Sequence, residues 1–408
     1  MSEFALRFLH ASDFHLEASL GGVAEIPRGW RDLFLEAAYR SVEQVFETAL
    51  MENVDGVLLS GDLVDLERAG PRAAVFLHRQ FQRLADRGIA VYWAGGVADP
   101  PDAWPPSMPL PANVHVFSAG RCESLEHRRQ GATVARIQGI SRAAGLPPDD
   151  RGFFRDAGGL FTIGVAHGTS ASPGAEGDRV HYMALGGQHR RQTVDQSPGV
   201  AHFAGTPQGR RPAETGAHGC TLLTVDEAGN VKLRFVPTDA VRWVAETLEL
   251  TEGTSEDDLL GLIRERAIKV RGNHPDRDLL VTWRAEGASD LLNALRRGGL
   301  ADALVARLRE EEPSGPHRLW HVAIECDQPG VYPEAWYDQE TILGDMLRQF
   351  RELAADAAEP LELADFLPEG RREEDFAGLA EAGPHERDAL LQRAAKLGLE
   401  LLSVEDDA

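Results

Sequence analysis

Carboxylates and imidazoles follow a series of apolar, strand-like runs in this chain, and the first is Asp13-x-His15, directly after residues 5–11. A turn after a strand can place both side chains at the carboxyl end of the strand, where they could bind a divalent cation. The triplet alone means little, because a solvated turn explains it equally well. A metal site becomes the favoured interpretation because further residues of the types that bind metals follow apolar runs in the same way along the next 175 residues.

The other strand ends combine glycines with possible metal ligands. They read Gly61-Asp62-Leu63-Val64-Asp65, Gly95-Gly96-Val97-Ala98-Asp99, His167-Gly168, Gly186-Gly187-Gln188-His189 and Gly205-Thr206-Pro207-Gln208-Gly209-Arg210. Each glycine permits the tight turn that aims a side chain over the sheet edge. Aspartate and histidine suit manganese, iron or zinc, and a central aspartate could bridge two ions about 3.5–4 Å apart for in-line phosphoryl displacement. The joint order and spacing predict a metal-dependent phosphoester chemistry.

Alternating strands and helices over residues 1–240 are the elements that must position these groups. Helical spacing of apolar residues predicts helices over 30–52 and 72–87. The alternation, followed by a more strand-rich half, favours a sheet sandwich with helices outside. Strands are predicted at 5–11, 54–59, 89–94, 132–140, 160–166, 180–185, 199–204 and 220–225, and loops at 100–111, 143–159 and 168–179.

The pattern changes near residue 240 and predicts a small αβ domain over 241–330. Its predicted strands are 241–250, 278–284 and 318–325, and its predicted helices are 255–270 and 289–309. Residues 331–408 then form an acidic tail with amphipathic helices at 339–356 and 385–402. Such helices pack on their own body, which is the default, or on a partner helix.

Length and composition narrow the class of protein. A chain of 408 residues favours two or three domains. No apolar run approaches the roughly 18 residues needed to span a bilayer, and no export signal is recognisable at the N-terminus. Three widely spaced cysteines fit a reducing compartment and exclude a cysteine-based zinc module. We therefore expect a cytoplasmic protein with no membrane partner.

The net charge of −23 weighs against non-specific nucleic-acid binding. Residues 331–408 carry 20 acidic and 7 basic side chains, or −13. Affinity for phosphate backbones comes mainly from Lys and Arg contacts that release counterions. Any DNA contact must therefore be local, and the candidate basic clusters are Arg128-Arg129, Arg190-Arg191 and Arg210-Arg211.

Several stretches together carry a resemblance to a known family. They are Leu-His-Ala-Ser-Asp-Phe-His at 9–15, Gly-Asp-Leu-Val-Asp at 61–65, His-Gly at 167–168, His189, and Gly-Thr-Pro-Gln-Gly-Arg-Arg-Pro-Ala-Glu-Thr-Gly at 205–216. With these, the chain resembles the calcineurin-like metallophosphoesterases, and within them the SbcD-type DNA repair exonuclease subunits and YhaO-type bacterial proteins. The resemblance implies an α/β (α+β) fold, a four-layer αββα metallophosphoesterase sandwich over 1–240. It further implies an αβ cap at 241–330 that docks DNA and a helical tail at 331–408 that binds an ATPase.

The resemblance also implies a set of metal ligands. A first ion would be held by Asp13, His15, Asp62 and His189, all of which are present. A second ion would take Asp62, His167, and an Asn and a His from two family motifs. The implied cofactor is Mn²⁺, with one ion as the expectation and two as the alternative, and with Mg²⁺ or Fe²⁺ as other candidates.

The chain departs from the family at the second ion. The family's Asn is Val97 here, its leaving-group His is Ala98, and its second-site His is Gly187. Losing a positioned general acid or base typically costs about 10²–10⁴ in rate, and losing the second cation several kcal/mol more. Replacements that could rescue the site lie nearby in sequence; they are Asp99, Asp102, His181 and Gln188.

Three functions follow from this reading. The first is an SbcD-like phosphodiesterase or exonuclease subunit in DNA double-strand-break repair, with impaired two-metal chemistry, in which Arg210 and Arg190 steady a phosphate oxygen. For both arginines a surface ion pair is an equal alternative. The second is a catalytically inactive pseudonuclease that serves as a DNA- or ATPase-binding scaffold, and the third is a phosphatase for a small phosphoester. The expected partners are an SbcC-like coiled-coil ATPase, DNA ends, and a second copy of the chain in a homodimer.

Overall fold

The computed structural model describes most of the first 326 residues and part of the tail. The described residues are 6–23, 26, 29–142, 152–168, 179–196, 199–287, 289–296, 299–312, 315, 317–326, 334–355, 390–391, 394–395 and 398. They form two compact units. The first unit contains the described residues up to Ala245 together with Ala267–Thr282 and Glu312–Val322, and the second contains Glu246–Arg266, Trp283–Glu311 and the described residues from Ala323 onward.

Fifteen strands and eight helices are present in the described residues. The strands are β1 Leu6–Ala11, β2 Gly56–Leu59, β3 Ala90–Trp93, β4 Val114–Val116, β5 Glu123–Arg129, β6 Ala132–Ile140, β7 Phe161–His167, β8 Tyr182–Gly186, β9 Gln192–Asp195, β10 Val200–Phe203, β11 Gly219–Val225, β12 Val231–Pro237, β13 Val241–Leu250, β14 Asp278–Gly287 and β15 Leu319–Cys326. The helices are α1 Arg31–Met51, α2 Leu66–Ala69, α3 Pro71–Ala85, α4 Glu256–Asn273, α5 Asp290–Arg296, α6 Leu300–Glu311, α7 Glu334–Tyr337 and α8 Ile342–Ala355.

Two six-stranded sheets make up most of the first unit. Their strand orders are β12-β11-β1-β2-β3-β4 and β5-β6-β7-β8-β10-β9. Strands β1 to β4 run parallel to one another, as do β6, β7, β8 and β10. Because the carboxyl ends of parallel strands meet at one edge of a sheet, the loops after β1, β2 and β3 gather together, and so do the loops after β7, β8 and β10.

Alternation along β1 shows how the sheets are packed. Leu9 and Ala11 are buried in one apolar cluster with residues of α1 and α3, whereas Leu6 and Phe8 are buried in another with residues of the second sheet. Successive side chains of a strand point to opposite faces, so a strand buried on both sides is apolar throughout. The layers are therefore helices, first sheet and second sheet, and the predicted α/β sandwich is confirmed.

The strands and helices predicted before residue 240 are present in the structure. The eight strands predicted before residue 240 are all present within about two residues, and the helices predicted at 30–52 and 72–87 are α1 and α3. The second helical layer of the expected αββα order is not seen among the described residues. The predicted loop at 100–111 contains no helix or strand, while most of the loops predicted at 143–159 and 168–179 lie outside the described residues.

The region after residue 240 contains a three-stranded sheet, in the order β13-β14-β15. The single helix predicted over 289–309 is wrong, because α5 and α6 are separate. Gly299 precedes α6 with a φ of +69°, a conformation that cannot continue a right-handed helix. The predicted tail helix at 339–356 is α8, whereas most of 385–402 lies outside the described residues. The domain boundaries at 240 and 330 stay predictions.

None of the helices in the described part of the chain is long and apolar enough to cross a membrane.

Candidate metal centre

The loops after β1 and β2 are fixed to each other by backbone hydrogen bonds. The Asp13 amide donates to the Gly61 carbonyl over 2.9 Å, and the His15 amide donates to the Asp62 carbonyl over 3.1 Å. Asp13, His15 and Asp62 have φ values of +55°, +43° and +54°. This left-handed conformation costs about 1–2 kcal/mol per non-glycine residue, so the surrounding contacts must stabilise it. The tight turns point the three side chains into one space.

Asp62 is held in place through both carboxylate oxygens. Its Oδ1 accepts hydrogen bonds from the amides of Val97 at 2.7 Å and Ala98 at 2.9 Å, and its Oδ2 lies 3.3 Å from His167 Nε2. Burial alone would raise the pKa of Asp62. The hydrogen bond and positive charge of His167 and the backbone amides outweigh burial and hold that pKa far below its ordinary value.

His167, the last residue of β7, is buried behind Asp62. Its Nδ1 lies 2.9 Å from the Ser60 carbonyl, which can only accept, so Nδ1 is the donor. Burial would lower the pKa of His167, but the hydrogen bond to Asp62 and the charges of Asp62 and Asp13 raise it to about 9. Without a cation in the site, the imidazole is therefore protonated and balances the Asp62 carboxylate.

Asp13 is buried and accepts hydrogen bonds from three residues, two of which donate to its carboxylate and one to its backbone carbonyl. The Ser12 hydroxyl donates to Oδ2 over 2.5 Å, and the Gly187 amide lies 3.0 Å from Oδ1 and 3.1 Å from Oδ2. The loop after β8 is thus fixed to the loop after β1. Thr206, from the string at 205–216, also donates its hydroxyl to the Asp13 carbonyl over 2.9 Å.

A glutamate accompanies His15. Glu17 Oε1 lies 3.0 Å from His15 Nδ1, and Glu17 Oε2 accepts from the Asp65 amide over 3.0 Å. Burial would raise the pKa of Glu17, but these hydrogen bonds lower it. His15 Nε2 is buried, has no hydrogen-bond partner among the described residues, and lies 3.9 Å from Asp62 Oδ2. A buried nitrogen without a partner is costly unless something binds there.

His189 has a glutamate of its own. Glu214 Oε1 lies 2.7 Å from His189 Nδ1, and Glu214 Oε2 accepts from the Arg210 amide over 2.6 Å. Burial would raise the pKa of Glu214, but its bonds to His189 and Arg210 lower it to about 2. Arg210 Nη2 lies 3.3 Å from each ring nitrogen of His189, and the rings of His15 and His189 meet edge to face at 5.2 Å.

Two groups of side chains could hold a cation. Asp13, His15 and His189 form one group, and Asp13, Asp62 and His167 form the other. Within each group, one ligand atom from every residue lies within 4.8 Å of the others. Carboxylates and imidazoles suit Mn²⁺, Fe²⁺ or Zn²⁺, and His15 Nε2 has no hydrogen-bond partner among the described residues, so it is available to a divalent cation in this donor set. The five residues predicted as ligands therefore lie together, and metal binding itself remains a prediction.

The residues at which the sequence predicts a lost side-chain function, Val97, Ala98 and Gly187, lie beside the second group. The Val97 side chain is exposed, at 62%, and the amides of Val97 and Ala98 point to Asp62. A Cβ on Gly187 would lie 3.1 Å from His167 Nε2. A longer side chain at residue 187 would therefore begin next to His167.

Two of the nearby residues that might have rescued this site, Asp99 and His181, make their contacts elsewhere. The buried carboxylate of Asp99 accepts four N–H bonds, including those of the Asp62 amide at 2.8 Å and Trp93 Nε1 at 3.0 Å. His181 lies before β8, at the opposite edge of the sheet, where it accepts from the Thr162 amide. Asp102 is exposed, and Gln188 is half-buried in the loop that carries His189.

The two arginines predicted to bind phosphate are placed differently. Arg210 is 5% exposed, and its guanidinium lies against His189, the Phe14 carbonyl and the Thr206 hydroxyl. Arg190 is exposed on the loop after β8. Arg210 therefore packs against His189, a predicted metal ligand, and phosphate binding by either arginine stays a prediction.

Sequence reasoning missed Glu17 and Glu214, and it assigned Asp99 no structural role. Glu17 had a usable signal, because a carboxylate two residues after a ligand histidine can reach its ring. Glu214 is 25 residues beyond His189, and no spacing rule connects them. The sequence predicts Asp99 as a possible replacement ligand, yet it is 3% exposed and organises the Asp62 loop.

An α/β sandwich that gathers carboxylates and imidazoles at the carboxyl ends of its strands is the class of structure that the resemblance implied. No family model matches the chain. The chain is 28% identical over 337 residues to the uncharacterized metallophosphoesterase YhaO of Bacillus subtilis (strain 168). This alignment covers 78% of this chain and 81% of that protein. This similarity supports the metallophosphoesterase superfamily.

Solved structures with partial similarity include a dimetal phosphatase from Danio rerio and an archaeal phosphodiesterase. The first is 13% identical with a TM-score of 0.35, covering 55% of this chain and 94% of that one. The second is 10% identical with a TM-score of 0.28, covering 57% of this chain and 100% of that one.

Proposed function

We propose that this chain is a metal-dependent phosphoesterase that acts on a phosphodiester. The observation that carries the proposal is the buried, unpartnered Nε2 of His15, which lies among Asp13, Asp62 and His189 at the carboxyl edge of the sheets. The similarity to an uncharacterized metallophosphoesterase over most of the chain supports the same chemistry.

The four residues Asp13, His15, Asp62 and His189 would hold the principal ion, with Mn²⁺ as the proposed metal. When bound, a divalent ion supplies positive charge that polarises a phosphoryl oxygen and favours nucleophilic attack. Asp13 and Asp62 bring the negative charge that such an ion requires, and both are already fixed by backbone donors. The two carboxylates therefore need little rearrangement to bind the ion.

The second group is the weaker one, so we propose one tightly bound ion per chain. It has Asp62 and His167 but no side-chain ligand from Val97 or Gly187. His167 Nε2 instead lies 3.3 Å from Asp62 Oδ2. A second ion would have to displace the proton of His167 and bind with fewer ligands, so its affinity should be lower.

The finer proposal is an SbcD-like exonuclease subunit that acts on DNA ends with an SbcC-like ATPase. Its support is the string at 205–216, which supplies Thr206, Arg210 and Glu214 to the site. The charge of −23 requires that any DNA contact be local.

A second candidate is a pseudonuclease that has kept the fold and one ion for binding. The observation that favours it is the loss of side-chain function at Val97, Ala98 and Gly187 around one centre, with no other His, Cys, Asp or Glu of the described ranges completing the second group. A small-phosphoester phosphatase would need the same site, and no described contact favours it.

The deciding experiment compares hydrolysis of bis(p-nitrophenyl) phosphate and of linear duplex DNA in excess Mn²⁺. The proteins are the unmodified chain, Asp62→Asn, and the restored triple variant Val97→Asn, Ala98→His, Gly187→His. Gly187→Ala is the matched control, because it carries the backbone strain without a ligand. Turnover that disappears in Asp62→Asn supports the phosphoesterase, and activity found in the restored variant alone supports the pseudonuclease.

The ATPase proposal is tested on α8. Ile342 is exposed at 72%, so Ile342→Asp should abolish co-purification with a large ATPase of the same organism if the tail binds it. Met51→Asp, at an exposed apolar residue elsewhere, is the control. Retained binding by Ile342→Asp would contradict this role of α8. The proposed homodimer is tested by light scattering, where a monomer at micromolar concentration counts against it.

A further inference from the structure

Two glutamates make the same pair of contacts in different parts of the site. Glu17 accepts from His15 Nδ1 through one oxygen and from the Asp65 amide through the other. Glu214 accepts from His189 Nδ1 through one oxygen and from the Arg210 amide through the other. Neither glutamate belongs to the two groups that could hold a cation. Their shared pattern indicates a common role.

We propose that Glu17 and Glu214 are positioning residues that fix the tautomer of His15 and His189 for the ion. A carboxylate can only accept hydrogen bonds, so each imidazole must carry its proton on Nδ1. The lone pair is then on Nε2, which for His15 is the buried nitrogen without a partner. The inference rests on the proposed metal site and adds the residues that prepare it.

Each glutamate also connects two loops of the site. Glu17 joins the loop after β1 to the loop after β2 through the Asp65 amide. Glu214, which accepts from the Arg210 amide within the loop after β10, joins that loop to the loop after β8 through His189 Nδ1. Ligands on separate loops keep their mutual distances only if such contacts hold the loops together.

The pairs differ from ordinary surface ion pairs in their burial. The side chains of His15 and Glu17 are 19% and 10% exposed and those of His189 and Glu214 are 35% and 16% exposed, whereas those of the surface pair Arg72 and Glu36 are 57% and 32% exposed. Arg210 Nη2 lies at the same 3.3 Å from both nitrogens of His189, so it does not select a tautomer. Glu214, at 2.7 Å from Nδ1, does.

Glutamine cannot replace either glutamate. A glutamine side chain has one oxygen and one NH₂ group, whereas both groups facing Glu17 are N–H donors. If the amide oxygen accepts from the backbone, its NH₂ donates to His15 Nδ1 and moves the ring proton to Nε2. The same reasoning applies to Glu214→Gln and His189.

The test compares four full-length proteins: the unmodified chain, Glu17→Gln, Glu214→Gln and the surface control Glu36→Gln. Calorimetric titration of the metal-free proteins with Mn²⁺ should give an affinity about 10–100-fold weaker for each site variant, and an unchanged affinity for Glu36→Gln. Imidazole ¹⁵N shifts of the metal-free proteins should show a proton on Nδ1 of His15 and His189 in the unmodified chain. They should show increased Nε2–H in Glu17→Gln for His15 and in Glu214→Gln for His189.

The two readouts separate this inference from the proposed function. Unchanged tautomers and unchanged Mn²⁺ affinity in both site variants would overturn the positioning role. A changed tautomer in the metal-free variants supports that role even if the unmodified chain binds no Mn²⁺, a result that would overturn the proposed metal site alone. If a substitution only disrupts the structure, the melting temperature of the metal-free variant falls but the tautomer of the histidine that it contacts, His15 or His189, does not change selectively. That result would also count against the inference.

Discussion

The contact between Asp62 and His167 makes the stability of the metal-free protein depend on pH. The two side chains approach to 3.3 Å, and His167 is 2% exposed. Burial opposes the charged imidazole, but the Asp62 carboxylate more than offsets it and raises the pKa of His167 to about 9. In the unfolded chain the pKa returns to its ordinary value near 6.5.

The size and sign of the effect follow from that difference. A pKa raised from 6.5 to about 9 corresponds to about 3 kcal/mol of stabilisation. Because the folded pKa is the higher one, this stabilisation is complete below pH 6.5 and is lost as the pH rises through 9. The depressed pKa of Asp62 reports the same interaction from the other side, so the two shifts are not added.

Asp62→Asn removes the charge that holds the proton on His167. The unfolding free energies of both proteins are measured by urea denaturation in EDTA at pH 6 and pH 10. Between these two pH values, we expect the unmodified chain to lose about 3 kcal/mol more than Asp62→Asn loses. His115→Gln, which removes a half-exposed histidine paired with Glu123, is the control and should keep the unmodified slope. Equal losses in the unmodified chain and in Asp62→Asn would refute the proposed charge pair.

Three further perturbations give separate predictions. Burial lowers the pKa of His202 to about 3, so the folded protein should lose about 3 kcal/mol between pH 7.5 and pH 4, and His202→Gln should flatten that loss in acid urea titrations. Asp99→Asn offers one acceptor oxygen to four N–H donors, so it should lower the unfolding free energy by about 2–4 kcal/mol in urea. Gly187→Ala places a Cβ 3.1 Å from His167 Nε2 at a φ of +94°, so it should lower the free energy of unfolding by about 1–2 kcal/mol, measured by thermal denaturation.

Each of these predictions has a control or a contrary result. Gly229 has a φ of +84° with open space around it, so Gly229→Ala carries backbone strain closer to that at Gly187 without the contact to His167. Equal effects at Gly229 and Gly187 would mean that the contact contributes nothing. A His202→Gln protein with the same acid sensitivity as the unmodified chain would contradict a neutral, buried histidine. An Asp99→Asn protein of unchanged stability would contradict the four-donor role of its carboxylate.

The central strands could be predicted from the sequence, and the edge strands could not. Strands such as β1 and β7 are buried on both faces, so their apolar runs are continuous. The four missed strands, β4, β5, β9 and β12, are the edges of the two sheets. Edge strands are partly exposed and therefore polar. Three of them, β5, β9 and β12, pair with the strand next to them in the chain, so their polar composition, and not a distant partner, hides them from an apolar pattern.

The site divides in the same way. The sequence by itself determined the types and the order of the predicted ligands, because Asp13, His15 and Asp62 each follow a strand whose apolar pattern is local. The residues Val97 and Gly187, for which the resemblance implies lost ligands, can also be identified from the sequence alone.

Only the tertiary structure decided which groups support the ligands. Glu214 reaches His189 across 25 residues, and Asp99 turns inward to hold the Asp62 loop. Arg210 packs behind His189 rather than facing solvent. These contacts depend on loops from different strands meeting at one edge, and a one-dimensional pattern carries no distance between such loops.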